Sequence, residues 1–276
     1  MAGRSFFRRR SRMLVPTLFD VPAEAHLASH QLLLRAGMMR RHATGIYDLL
    51  PLGLRVMEKV TRVIDEEMLR VDGQKLALPL LNARDLWDRT GRWVGTGPEL
   101  MRLQDRKGED YCLAPTHEEV VTALVAAEVT SYRQLPQALY QIGTKFRDEV
   151  RPRFGLMRSR EFVMKDMYSF HASREEAVAM VDTVQGAYRR VFSRLQLPAV
   201  EVDADGGNVG GDMRSTEFQV PCRCVVFGWN ARVRRKTRIT VSRLTASPLP
   251  PTPHAHPPNI NYGFLSARAD AINTNI

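Results

Sequence analysis

The chain has 276 residues, of which 44% are hydrophobic, enough for one sizeable core or two small ones. Its three cysteines and the lack of an apolar run near the roughly 20 residues that span a bilayer exclude a disulfide framework and predict no membrane partner. The formal net charge of +10 is concentrated at the two ends, in acid-free segments 1–19 and 218–269, so the middle of the chain is nearly neutral.

Residues 1–22 form a basic N-terminal segment. Its first 19 residues contain five arginines, two serines and apolar residues but no acid, a composition typical of a mitochondrial transit peptide. This predicts a location in the mitochondrial matrix. The alternative is a disordered basic arm on a cytoplasmic protein.

The next pattern is an amphipathic helix followed by a strand. Apolar residues recur at helical spacing over 54–71, and Asp72-Gly73 supplies a stop. Residues 74–81 then predict a short strand that contains Pro79, a residue that sheets accept at an edge or an end.

Further along, residues 117–128 and 174–195 predict helices, and residues 139–146 and 162–170 predict strands. These elements alternate without the regular βαβ spacing or the glycine-rich phosphate turn of a Rossmann or P-loop protein. The predicted fold class is therefore α+β, an antiparallel sheet flanked by helices.

A cluster of arginines marks the stretch from residue 145 to residue 162. Guanidinium groups bind phosphate bidentately, so a polyphosphate site is one interpretation. A solvated loop neutralised by Asp148, Glu149 and Glu161 explains the composition equally well. The five arginines are Arg147, Arg151, Arg153, Arg158 and Arg160.

The full run KFRDEVRPRFGLMRSREFVMKDMYSFH resembles motif 2 of the class II aminoacyl-tRNA synthetases, in the version found in bacterial and mitochondrial prolyl-tRNA synthetases. The resemblance extends from about residue 30 to residue 220, through GIYDLLPLGLRVMEKV, LWDRTGRW and LAPTHEEVVTALV. It implies a class II catalytic core over residues 23–220. It also implies that the helix and strand ending near Pro79 are motif 1, the homodimer interface.

The resemblance assigns roles to individual residues. Arg147 is implied to contact both the α-phosphate of ATP and the carboxylate of proline, and Glu149 to help hold ATP, which makes these two the catalytic candidates. Phe162 is implied to stack on adenine, and Arg158 is a candidate for contact with phosphate or with the tRNA acceptor end. Without the motif, Phe162 is ordinary strand core.

The segment LAPTHEE supplies the implied proline site. Thr116 and Glu118 correspond to a T-x-E loop that holds the imino group of proline. Thr116 with Glu119 three residues later also reads as a capping box that opens a helix, and the two roles are compatible. His171 either lines the proline pocket or ends its strand. No protein motif predicts a metal ligand set.

The implied activity is that of a proline–tRNA ligase, which uses ATP with Mg²⁺ to form prolyl-adenylate and loads proline onto tRNA(Pro). The alternative is an inactive fragment that binds tRNA or dimerises. A synthetase for serine, threonine or glycine is a more distant possibility.

Residues 221–276 form a Pro- and Arg-rich tail without family resemblance. The family is expected to continue to a motif 3 and an anticodon-binding domain, so the resemblance predicts a core incomplete at its C-terminus. Residues 239–243 faintly resemble motif 3, and we treat that match as chance. The composition predicts disorder for the tail.

Overall fold

The computed structural model describes residues 13–23, 25–204, 215–220, 239–243 and 263–269. The helices are α1 (Ala28–Arg35), α2 (Pro51–Leu69), α3 (Arg84–Arg89), α4 (Arg92–Gly95), α5 (Glu118–Glu128) and α6 (Arg174–Arg194). The strands are β1 (Met39–Ala43), β2 (Ile46–Leu49), β3 (Gln74–Lys75), β4 (Leu81–Ala83), β5 (Arg102–Gln104), β6 (Asp110–Leu113), β7 (Gln137–Phe146), β8 (Glu161–His171), β9 (Val200–Ala204), β10 (Ser215–Gln219), β11 (Ile239–Arg243) and β12 (Gly263–Ala269).

The strands form one large sheet and two small ones. The large sheet has the order β3-β7-β8-β12-β11-β10-β9, and all of its pairings are antiparallel except that of β3 with β7. β1 pairs with β2, and β6 lies between β4 and β5. The predicted class, α+β with an antiparallel sheet flanked by helices, is confirmed.

The two faces of the β7–β8 hairpin pack against different helices. The register pairs Gln137 with Phe170 and Phe146 with Glu161 without a shift, so residues alternate strictly between the faces. Tyr140 and Met167 belong to the core shared with α2 and α6. Tyr168 pairs with Leu139 across the hairpin, and both pack with α5 on the opposite face.

A buried carboxylate joins α2 to α6. Glu67 is fully buried and accepts hydrogen bonds from Arg190 Nε (2.7 Å), Arg194 Nη1 (2.8 Å) and Arg70 Nη1 (3.1 Å). Burial acts to raise the pKa of Glu67, but the arginines outweigh it and lower that pKa. Three cationic partners thus offset the cost of burying one charge between the helices.

The sheet β4-β6-β5 and helices α3 and α4 form a small second core. It contains Trp87, Trp93, Leu100 and Cys112. Arginines stack on both indole rings: Arg92 lies over Trp87 at 5.2 Å, and Arg84 and Arg102 lie over Trp93 at 5.3 and 5.2 Å.

The N-terminal residues pack onto α1 and β1 earlier than the sequence predicts. The backbone N–H of Leu18 donates to the carbonyl of Arg35 (3.0 Å), and Arg40 donates to the carbonyl of Pro16. Gly37, at φ +65°, lies so close that a Cβ there would approach Pro16 O to 2.8 Å. Folded packing therefore begins near Pro16, ahead of the predicted boundary at residue 23.

The helix predictions hold within a few residues. Of the strand predicted at 74–81, only Gln74–Lys75 forms β3, and Leu81 begins the separate strand β4. The N–H of Leu76 still bonds to Tyr140 O, but that of Leu78 bonds to the side chain of Gln141, and Pro79 has no N–H to donate. The backbone hydrogen bonds between this segment and β7 therefore end after Leu76, because the next N–H groups are used elsewhere or are missing.

Two strands lie within the tail that the sequence predicts to be disordered. β12 pairs with β8 from Gly263↔His171 to Arg268↔Asp166, and β11 pairs with β12. β8 would otherwise present unpaired backbone groups along this side.

The other residues of 221–276 lie outside the described parts of the chain, as do residues 1–12, and the domain boundary at 220 stays a prediction. No helix among the described residues is long and apolar enough to cross a membrane.

Lys165 of β8 is buried on the α2 and α6 face, where its Nζ donates to Tyr188 Oη (2.6 Å) and lies 4.7 Å from the centre of that ring. Burial lowers the pKa of Lys165 to about 7. The unfolded chain, with a lysine near its ordinary pKa, therefore binds more protons between pH 7 and 10. The free energy of unfolding should consequently rise with pH in this range.

We expect Lys165→Met to remove this pH dependence. The free energy of unfolding of the wild type should gain on the order of 2 kcal/mol relative to the variant between pH 7 and pH 9. Urea unfolding at several pH values measures it, with the exposed Lys107→Met as the control. Parallel pH profiles for wild type and Lys165→Met would contradict the assignment.

Candidate active site

The strongest site candidates lie on the open end of the β7–β8 hairpin. Arg147 directly follows β7, and its backbone N–H donates to Arg160 O (2.9 Å), which extends the hairpin by one pair. Lys145 pairs with Phe162 across the strands. Alternation then places Lys145, Arg147 and Phe162 on the face that packs with α5 further along the hairpin.

The structure brings the predicted ATP residues together in two pairs. The Arg147 guanidinium lies over the Phe162 ring, 5.3 Å from its centre. Arg158 Nε donates to Glu149 Oε2 (2.6 Å), and Glu149 Oε1 accepts from the Arg151 backbone N–H (2.9 Å). Burial acts to raise the pKa of Glu149, but these bonds outweigh it and lower that pKa, so the carboxylate stays ionised.

The loop between β7 and β8 packs against α1, β1 and the turn that follows β1. Leu156 packs into the core formed around Leu34 and Met39. Gly155, at φ +64°, lies against the ring of His30, where a Cβ would come within 2.8 Å. The backbone N–H of Arg160 donates to Gly45 O (2.8 Å). These contacts restrict the loop that carries the arginines.

A buried polar cluster underlies this face of the hairpin, with Asp166 of β8 at its centre. Asp166 Oδ1 lies 2.9 Å from Lys145 Nζ, and neither side chain is exposed. Asp166 Oδ2 accepts hydrogen bonds from Gln141 Nε2 (2.9 Å) and Tyr168 Oη (2.7 Å). Every charge in the cluster thus has a partner, as burial requires.

The Thr116–Glu118 segment lies beside the end of β7. The N–H of Phe146 donates to Ala114 O (3.0 Å), and the N–H of His117 donates to Tyr168 Oη (3.0 Å). Thr116 is fully buried, and its hydroxyl donates to Glu118. The two residues predicted to hold the imino group of proline are therefore in direct contact, next to the strand that leads into Arg147.

The predicted capping box does not form. His117 occupies the N-cap position of α5 without a side-chain cap. The Thr116 hydroxyl bonds to Glu118 instead of the helix backbone, while Glu119 accepts from Thr90 Oγ1 (3.2 Å) and Arg92 Nη1 (2.7 Å). Both capping groups are used in side-chain contacts within the site.

His171 does not join this group. Alternation along β8 puts it with Lys165 and Met167 on the face packed with α6, and Glu176 in the first turn of α6 acts on its pKa. That pKa is lowered, chiefly by burial. Of its two interpretations, the structure favours the end of the strand over the wall of the pocket.

Pro79, the predicted dimer-interface residue, is exposed, and its carbonyl accepts a hydrogen bond from His117 Nε2 (2.9 Å). Burial, with Lys145 nearby, lowers the pKa of His117, so its ring is neutral. The segment after α2 is thereby tied to the site through a neutral imidazole.

Sequence reasoning missed the residues that support the site from below. The sequence analysis assigns no role to Asp166, Tyr168, Lys145 or Arg92. A charged residue at an inward position of a predicted strand was the available signal. Several charged residues lie next to one another in this part of the sequence, so the inward-facing ones could not be told from the exposed ones.

Comparison with known proteins gives the family. Residues 101–246 match the tRNA synthetase class II core domain (G, H, P, S and T). The chain belongs to this family. This class II chain is 54% identical over 212 residues to a proline–tRNA ligase of Acidithiobacillus ferrooxidans, a match that covers 77% of the chain and 37% of the relative. It is 46% identical over 276 residues to the proline–tRNA ligase of Nitratidesulfovibrio vulgaris, covering 96% of the chain and 48% of the relative.

Solved structures show the same class II fold. A prolyl-tRNA synthetase of Cryptosporidium parvum complexed with halofuginone and AMPPNP is similar with a TM-score of 0.68, at 20% identity over 83% of this chain and 46% of that one. The same enzyme complexed with L-proline and AMP gives a TM-score of 0.60 at 22% identity, over 70% of this chain and 40% of that one.

The class II chain spans less than half the length of the curated relatives it matches, 37% and 48% for these two ligases. The family match and the N. vulgaris match both extend past residue 220, the predicted end of the core. By the family match, class II sequence continues to residue 246.

Proposed function

We propose that this chain carries the proline- and ATP-binding part of a proline–tRNA ligase. One observation carries the proposal: the Thr116–Glu118 pair lies beside the end of the same strand that leads into Arg147, joined through the Phe146–Ala114 hydrogen bond. The Glu118 carboxylate is suited to an ammonium group, and the Arg147 guanidinium is suited to a carboxylate or a phosphate. Both therefore lie near the same end of β7. The identity to proline–tRNA ligases supports the choice of amino acid.

In the proposed reaction, the carboxylate oxygen of proline attacks the α-phosphorus of ATP, and the bond to the β-phosphate oxygen breaks. Prolyl-adenylate and pyrophosphate result. The terminal ribose hydroxyl of tRNA(Pro) then attacks the activated carbonyl, releasing AMP and a proton. Mg²⁺ enters as the complex with ATP and neutralises phosphate charge.

The residues of this chain contribute positioning and charge. Glu118 holds the secondary ammonium, and Arg147 neutralises the charge that grows on the α-phosphate oxygens as the nucleophile attacks. Phe162 presents a half-buried ring for adenine, next to Arg147. Glu149 holds Arg158 by an ion pair, and about half of the Arg158 side chain remains exposed to solvent, where it can reach a phosphate.

Replacing Arg147 by alanine tests the proposal. Loss of one electrostatic donor to the transition state should slow proline-dependent ATP–pyrophosphate exchange by about 10²–10³-fold. Arg106→Ala, in an exposed turn, should leave the rate unchanged. Alanine and cysteine serve as competing substrates in the same assay.

Near-normal exchange by Arg147→Ala would overturn its role. Exchange by the wild type with another amino acid but not with proline would overturn the substrate. A folded wild-type chain without any exchange would support the other candidate, a fragment that binds tRNA or dimerises without turnover.

We also propose a homodimer through the surface formed by the end of α2 and the segment around Pro79. Leu69, Leu80 and Leu81 there are exposed by 71%, 38% and 47%. Leu80→Glu should convert a dimer to a monomer in sedimentation equilibrium, and Leu32→Glu, at a leucine of α1 exposed by 63%, should not. A wild-type monomer at micromolar concentration would contradict the proposal.

We further propose a mitochondrial location, based on the acid-free, arginine-rich residues 1–19. Residues 1–22 fused to a fluorescent protein should direct it to mitochondria in a eukaryotic cell. Replacing Arg8, Arg9 and Arg10 by glutamate should leave it in the cytosol. Diffuse fluorescence from the unaltered fusion would favour the cytoplasmic alternative.

A further inference from the structure

Arg92 of α4 lies between two acidic side chains of the candidate proline site. Its Nη1 is 2.7 Å from Glu119 Oε1 and 3.3 Å from Glu118 Oε2. The Glu119 side chain is 1% exposed, that of Glu118 13% and that of Arg92 23%. Two carboxylates adjacent in sequence and nearly removed from water thus share one cationic nitrogen.

The position of Arg92 is fixed by other contacts. Its guanidinium stacks over the fully buried Trp87, which belongs to the small core beside β6. Thr90, two residues before it, donates to the same Glu119 oxygen (3.2 Å). The α3–α4 unit therefore supports the start of α5 through Glu119, and through it the Glu118 carboxylate.

We infer that Arg92 is a positioning residue of the proline site, which orients Glu118 and balances the charge of the Glu118–Glu119 pair so that one net negative charge remains for the substrate ammonium. The inference rests on the proposed function for its substrate. Arg92 does not touch the reacting atoms in this scheme, and it acts through Glu118.

The charge count explains why the site needs this residue. Like charges at short range disfavour joint ionisation, so an unsupported pair of buried carboxylates takes up a proton. The pKa of Glu119 is raised, chiefly by burial; Arg92 acts to lower it, and Glu118 acts to raise it further. Arg92 thus offsets part of the repulsion between the two carboxylates, and proline supplies a further cation.

The other ionisable groups that face the pair do not change this balance near neutral pH. Burial raises the pKa of Cys112 to about 12 and that of Tyr168 well above its ordinary value, and it lowers that of His117. All three are therefore neutral. Lys145 and Asp166, behind Tyr168, are paired with each other at 2.9 Å.

The first test needs no substrate. Protein labelled with ¹³C at the glutamate side-chain carboxyl is titrated by NMR as the wild type and as Arg92→Met. The variant should take up a proton on the pair at a pH at least about one unit higher than the wild type does. Arg84→Met is the matched control, because Arg84 also stacks on a tryptophan of this unit but pairs with Asp88 and Asp110. An unchanged titration in Arg92→Met overturns the inference.

The second test measures proline. Arg92→Met should raise the KM for proline by about 10- to 100-fold near pH 7, while kcat at saturating proline changes little. Its KM should fall as the pH rises, because a proton that resides on Glu118, the carboxylate that meets the ammonium, must leave before proline binds. The wild type and Arg84→Met should show a flat profile over the same range.

A charge-restoring pair of substitutions separates this role from simple structural support. Glu119→Gln leaves Glu118 and Arg92 with no net charge, so it should also raise the KM for proline. Arg92→Met combined with Glu119→Gln restores the net negative charge and should bring the KM below that of either single variant, with a flat pH profile. Additive losses in the double variant would overturn the inference. If Arg92→Met alone does not fold, a KM of the double variant no lower than that of Glu119→Gln overturns it.

The two tests also separate this inference from the proposed function. If the wild-type chain neither binds proline in a calorimetric titration nor supports exchange, the proposed substrate is wrong. The NMR titration then decides the charge balance by itself.

Discussion

The site depends on the carboxyl group of Asp166, which is buried inside the β7–β8 hairpin. Its ion pair with Lys145 and its hydrogen bonds from Gln141 and Tyr168 connect the two strands on one face. Gln141 in turn accepts from Leu78 N–H, and Tyr168 accepts from His117 N–H. One carboxylate thus fixes the segment after α2, the loop before α5 and the hairpin relative to one another. A charge buried this deeply is tolerated only with all of these partners in place.

The hairpin gives its two faces different tasks. One face is filled by α2 and α6, held by the apolar core and by Glu67 with its arginines. The other face carries α5 toward one end and leaves Arg147 and Phe162 toward the other. Because adjacent residues of a strand point to opposite faces, Lys165 and Asp166 are neighbours in sequence yet serve the core and the site respectively. Packing against α2 and α6 supports the sheet from behind and holds the face that carries Arg147 and Phe162 in place.

Local patterns could predict most of the elements, and the resemblance to motif 2 could name candidate site residues. The helices followed from periodicity and the hairpin from β-rich runs, since both depend on residues close in sequence. The short β3 could not be predicted, because the Gln141 side chain that takes the Leu78 N–H comes from 63 residues away. For the same reason, the spacing of Thr116 and Glu119 predicted a capping box that does not form. Glu119 instead accepts hydrogen bonds from Arg92 and Thr90, which are distant in sequence. The face of His171 became clear only once the register of β8 was known.

The contacts of Pro16 and Leu18 with α1 and β1 bear on how the N-terminus can be matured. If residues upstream serve as a leader, the cut has to fall before Pro16, since removal of that residue would leave Arg40 and Gly37 without the backbone that they pack against. α1 and β1 also supply much of the apolar surface that receives Leu156, at the centre of the motif 2 loop. A protease that cut too far inside would therefore disturb the arginine loop from a distance. In that case, the residues just before Pro16 would act as a spacer between such a leader and the folded part of the chain.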